Sequence, residues 1–237
     1  MNWIVNNLEV IGQRSLEHLA LSIPPIIISF VLSIPIGWVA NRYRAGRGPL
    51  LTVCGLLYAI PSFPLFVVIP LIIGTGLRDP INVVIALTIY GVALMVRSTA
   101  DGLAAVDPDV RQSASAVGYS DWTRFWRVEL PLAGPVLLAG LRVVSVSTVS
   151  LATVGAVLGI NSLGLLFTDG FQRGISAEIW AGIVAVIVIA VVFDLILVQL
   201  GHLLMPWLRV TSGRAARRGG RRARRGPSAV PAGRVTT

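Results

Sequence analysis

The sequence predicts an all-α polytopic membrane protein with about five transmembrane helices, six if one apolar run divides. Three observations predict this class. Of the 237 residues, 54% are hydrophobic and 13% charged, with a mean hydropathy of +0.78, whereas a soluble domain carries about a quarter charged residues. Apolar runs recur at lengths that suit a helix crossing ~30 Å of hydrocarbon, which takes ~20 residues. The arginines between those runs fall unequally on the two sides, as membrane topology requires.

The N-terminal segment, 1–16, lacks the basic region and small-residue cleavage site of a signal peptide. It is expected as a short amphipathic helix at the outer interface. The transmembrane domain follows over 17–206. The first span, about 18–40, contains Pro24, Pro25 and Pro35 and is expected to kink. The second, about 49–74, has Pro61 and Pro64 around Ser62-Phe63. It is expected as one broken span or two half-helices. The third is about 81–97 and the fourth about 132–158. A Gly-rich outer loop with a short helix near Leu163–Phe171 precedes the fifth, about 178–204.

Sixteen arginines lie in the loop after span one, in the loop region 98–131 with its preceding Arg97, and in the tail. Only Arg14, Arg78 and Arg173 lie on the other side. The positive-inside rule places the N-terminus outside and the C-terminus in the cytoplasm. Trp38, Trp180 and Trp207 fall near span ends, as an aromatic belt does. The tail, 207–237, is rich in Arg, Gly and Ala and is expected to be disordered, touching anionic lipid or a cytoplasmic partner. No stacking aromatics interleave its arginines, which argues against nucleic acid.

All 20 basic residues are arginine. A P-loop requires a lysine to reach the terminal phosphates, so ATP-driven work would need a separate chain. His18 and His202 are isolated, and metal ligation is not expected. Cys54 sits in an apolar run as a packing residue. No paired carboxylates or Cys–His pair occupy the spans, so no cofactor or covalent catalysis is expected.

The one long polar stretch between spans is 107–140. Asp107 can cap a helix whose first residue is Pro108, and Gly118 can stop it in the left-handed conformation. A second helix restarts near Ser120-Asp121. It carries Trp122, Phe125 and Trp126, with the two tryptophans four apart on one face. Pattern alone allows an interfacial re-entry segment or a docking element for a cytoplasmic protein.

The run V-R-Q-S-A-S-A-V-G, with Leu130-Pro131 twelve residues beyond its glycine, resembles the EAA loop of ABC-importer permeases. Gln112, Ser113, Ala114 and Gly118 stand at the E, A, A and G positions, with Gln for Glu and Ser for Ala. Y-A-I-P-S-F-P-L-F, G-T-G-L-R-D-P and V-E-L-P-L-A-G-P-V-L-L-A-G-L-R are similar to the osmoprotectant branch of that family, over about residues 15–205. The resemblance implies a MetI-like ABC permease fold in the cell membrane. It also implies import of glycine betaine, carnitine, choline or proline betaine. A cytoplasmic ABC ATPase dimer would dock on Asp107, Pro108, Arg111, Gln112, Ser113, Ala114, Gly118, Trp122, Leu130 and Pro131. A second permease subunit, the same or paralogous, would frame the path, and an extracytoplasmic binding protein would deliver substrate. Import of an amino acid such as methionine, or ATP-independent transport, are the competing readings.

For the path, Tyr58, Phe63, Phe66 and Tyr90 could offer ring faces to a quaternary ammonium, with Ser62 among them, or simply pack. Ser145, Thr148 and Thr153 could line the path or allow close helix packing. Two charges fall within spans. Arg142 is eleven residues past Pro131, about 16 Å along a helix, and Asp194 is twelve before Pro206, about 18 Å from the same side. Matching depth and the cost of unpaired intramembrane charge predict an ion pair.

Overall fold

A computed structural model describes residues 2–207. Residues 1–201 form one compact unit; a second begins at His202, and its described part is 202–207. The arginine-rich tail, with the lipid contact expected of it, lies outside the described residues.

The described elements are all helical. α1 (Asn2–Asn6) precedes α2 (Leu8–Arg42), whose 35 residues extend about 52 Å at 1.5 Å per residue. It runs unbroken through Pro24, Pro25 and Pro35. α3 (Arg44–Ala59) and α4 (Ser62–Ile73) are the halves of the second run and meet at 100°. The break falls at Ile60-Pro61, both extended, because Pro61 disfavours helical backbone in the residue before it. α5 (Pro80–Ala104) is capped by Asp79, which accepts from the Ile81 amide at 3.0 Å. α6 (Pro108–Ala116) and α7 (Asp121–Arg124) form the polar loop. A π turn, Phe125–Glu129, leads into α8 (Leu130–Ala152), which tightens to a 3-10 turn over Thr153–Leu158. α9 (Gly164–Arg173) lies between α8 and α10 (Ser176–Leu204). Among the described residues, four helical stretches are long and apolar enough to span a membrane, and the bent α3–α4 pair makes up to five.

Two boundaries differ from expectation. The first long helix starts at Leu8, so only α1 stands apart within the segment expected over 1–16. The Leu130-Pro131 junction does not interrupt the chain: α7, the π turn and α8 are continuous. Pro131 has no N–H, and in a regular helix its ring would crowd the carbonyl four residues back. The wider π turn precedes it, with the Leu130 amide bonded to the Phe125 carbonyl.

α5 is the central element. Val83, Ala86 and Leu87 pack with Leu21, Phe66 and Ile160, while Met95 and Leu103 pack with Phe125, Leu137 and Val144. Small residues let α2 and α5 approach closely. A Cβ on Gly91 would lie 2.7 Å from the Ser29 side chain, and one on Gly37 would lie 2.6 Å from Thr99. Buried His18 sits at the α-to-3-10 change in the fourth span. There the Thr153 amide turns to Ser150 and Leu151, and His18 Nε2 donates to the Val149 carbonyl at 3.0 Å. α10 buries only Glu178, Ala181, Gly182, Leu197 and Gly201, leaving an apolar surface outward.

Candidate functional site

The polar loop is folded at every turn. Asp107 accepts from the Asp109 amide at 2.8 Å, with Pro108 in the first turn, where a missing N–H costs nothing. α6 ends in a Schellman closure. The Tyr119 amide reaches the Ala114 carbonyl at 3.2 Å, and the Gly118 amide reaches that of Ser115 at 3.0 Å. Gly118 has φ +91°, which side-chain-bearing residues rarely adopt. Ser120 then caps α7 through the Thr123 amide at 3.3 Å.

α6 presents its outer side. Gln112 and Ser113 are exposed, while Ala114 is buried. Val117 is 80% and Trp122 63% exposed, and Val110, Tyr119 and Trp126 are also exposed. Trp122 and Trp126 stack edge to face at 5.6 Å. Together these side chains form an exposed apolar patch on the polar loop. Leu130 and Pro131 lie behind it, half-buried at the start of α8.

The inner side is charged. Glu129, 5% exposed, accepts from Arg124 Nε at 2.8 Å and lies 3.9 Å from Arg111 Nε. Arg124 also meets Asp121 at 3.0 Å and the Ser115 hydroxyl at 2.7 Å. Asp121 in turn meets Arg42, at the end of α2, at 2.8 Å. Arg111 donates through Nη2 to the Leu103 carbonyl on α5. Phe125 is buried against Trp38, and the Arg42 guanidinium lies 5.8 Å from the Trp38 ring centre. Sequence reasoning passed over Glu129. Its signal is a lone carboxylate between Val128 and Leu130, five residues after an arginine.

The residues considered for the path separate into two groups. Tyr58 and Phe63 are exposed and Ser62 is half-buried, all beside the break between α3 and α4. Tyr90 is buried: its hydroxyl donates to the Ile60 carbonyl at 2.6 Å, and its ring meets that of Tyr58 edge-on at 5.9 Å. Ser145 and Thr148 are buried within the chain's own bundle. The Ser145 hydroxyl bonds the Leu141 carbonyl at 2.8 Å, and that of half-buried Thr153 bonds Ser150 at 2.7 Å. Arg142 and Asp194 lie together, bridging α8 and α10. Among the described residues, no group of three or more His, Cys, Asp or Glu is placed to hold a metal.

Apolar spans joined by a folded, exposed, polar helical loop define a polytopic membrane protein. The chain belongs to the family of binding-protein-dependent transport system inner membrane components, which it matches over residues 31–210. It is 29% identical to the osmoprotectant import permease protein OsmW of Salmonella typhimurium, covering 87% of this chain and 97% of that one. It is 27% identical to the choline transport system permease protein OpuBB of Bacillus subtilis, covering 87% and 95%. Its fold is similar to a solved inward-facing structure of the MetNI methionine ABC transporter, with TM-score 0.73 and 17% identity over 84% of this chain and 98% of that one. Membership makes the chain a multi-pass cell-membrane component of an ABC importer, a class that works with an ATPase and a substrate-binding protein.

Proposed function

We propose that this chain is the permease subunit of an ATP-driven importer for osmoprotectants of the quaternary ammonium class: glycine betaine, carnitine, choline and proline betaine. The observation that carries the reading is α6, capped at both ends and exposed along Gln112 and Ser113, on a chain whose relatives are osmoprotectant and choline permeases. An ATPase dimer docks on α6 and the adjoining Val117–Trp122 surface, and ATP hydrolysis resides in that separate chain. Because Gln112 is uncharged and exposed, docking depends on the shape of the helix more than on an ion pair at that position. The N-terminus faces outward, where a binding protein delivers substrate, and the loop and C-terminus face the cytoplasm.

Two permease subunits, identical or paralogous, frame the path. Closure of the ATPases draws the docking helices together and turns the path from one side of the membrane to the other. Tyr58 and Phe63, at the break in the second span, are the side chains available to a passing cation by ring-face attraction, with the Ser62 hydroxyl oxygen beside them. A cation needs only weak contact there, since a transport path must release what it holds.

Proteoliposomes holding the permease, its ATPase and its binding protein test the substrate class. Labelled glycine betaine should accumulate, with carnitine, choline or proline betaine competing. Accumulation of methionine without accumulation of any of these would overturn the assignment.

A further inference from the structure

We propose that Glu129 is a positioning residue that fastens the docking helix to the spans. Through it, the chain of alternating charges Arg42–Asp121–Arg124–Glu129–Arg111 carries displacement of α6 into α2, α5 and α8. The proposal rests on the reading of α6 as the ATPase contact.

α6 buries only Ala114, so apolar packing gives it little hold on the bundle. Its firm attachments are polar. Arg111 reaches the Leu103 carbonyl of α5 and lies 3.9 Å from Glu129, and Ser115 accepts from Arg124 at 2.7 Å. Both routes converge on Glu129, which is shielded from solvent and so stands outside the docking face. From Arg124 the chain continues through Asp121 to Arg42 at the end of α2.

The Glu129 carboxylate is buried, hydrogen-bonded to Arg124 and within ionic reach of Arg111, and it resists separation from them because parting leaves an uncompensated buried charge. Packed apolar surfaces slide with less penalty. Glu129 also ends the π turn that carries the chain from α7 into α8, so its carboxylate stands where the loop joins the span. Pulling α6 therefore pulls three spans together, where hydrophobic contact alone would let the helix lift away.

The test uses the complete transporter, with its ATPase and binding protein, carrying Glu129→Gln. This change keeps the size and removes the charge. The ATPase should still co-purify and hydrolyse ATP, while solute moved per ATP falls about tenfold, within the range of coupling between linked sites. Glu129→Asp should restore part of the ratio. An unchanged ratio would overturn the proposal. So would parallel loss of co-purification, hydrolysis and uptake, which marks a purely structural role. If Glu129→Gln does not accumulate in the membrane, Arg124→Gln is read by the same ratio. Wild-type protein that transports without the ATPase removes the docking reading itself, and this proposal with it.

Discussion

Arg142 and Asp194 meet between the fourth and fifth spans through two parallel hydrogen bonds, Nε to Oδ1 at 2.6 Å and Nη2 to Oδ2 at 2.8 Å. The planar guanidinium matches the carboxylate fork, a geometry that lysine cannot reproduce. The pair fastens α10 midway along a helix that otherwise buries few residues. Asp194→Asn and Arg142→Gln should each lower the amount of folded protein in the membrane and its uptake. The double substitution should lose less than the two single effects combined. A double-mutant cycle measures this, and strictly additive losses would mean the two residues act apart.

Gly118 holds φ +91° at the stop of α6. A side chain there costs about 1–2 kcal/mol in the left-handed region. Gly118→Val should fray the docking helix and weaken ATPase binding by about tenfold, equivalent to about 1.4 kcal/mol. Titration of the ATPase onto detergent-solubilised permease gives the affinity directly.

The close approach of α2 and α5 makes glycine substitutions unequal. Gly91→Val forces atoms onto the Ser29 side chain, already 2.7 Å from where a Cβ would stand. It should cost about 1–3 kcal/mol by overpacking. Gly12→Ala meets nothing within 4 Å. In a helix interior it should be neutral or stabilising by about 0.5–1 kcal/mol. Thermal unfolding in detergent separates the two.

Tyr90 ties the break in the second span to α5 by its bond to the Ile60 carbonyl at 2.6 Å. Tyr90→Phe keeps the ring and leaves that carbonyl short of a partner, at a cost of about 1 kcal/mol. Uptake should fall with it if α4 must keep its angle to α3, and parallel assays of unfolding and uptake report both effects.

Much of the fold is legible in the residues because lipid imposes a length. The spans announce themselves as apolar runs, and the broken one through Pro61 and Pro64. Asp107-Pro108 and Gly118 mark the ends of α6 because capping is local chemistry. The continuation of α2 back to Leu8 is not legible, since Glu9, Gln13 and Arg14 dilute the apolar signal where the helix runs past the expected span. The continuity through Pro131 is hidden too, because a π turn leaves no periodic trace in five residues. The role of Glu129 depends on Arg124 and Arg111 folding over it, and Asp121 finds Arg42 across 79 positions. No local pattern encodes pairings of that range. The path residues divide for a similar reason: burial of Tyr90, Ser145 and Thr148 follows from which helices neighbour one another, which hydroxyl content alone does not specify.

The central claim is that partner ATP hydrolysis drives solute through this chain by way of the loop between α5 and α8. The most direct measurement is uptake of labelled glycine betaine into proteoliposomes containing the permease, its ATPase and the binding protein, with hydrolysable or non-hydrolysable nucleotide on the ATPase side. Accumulation against a gradient with ATP, and none with the non-hydrolysable analogue, is the predicted result. Uptake that continues when hydrolysis is blocked would contradict it.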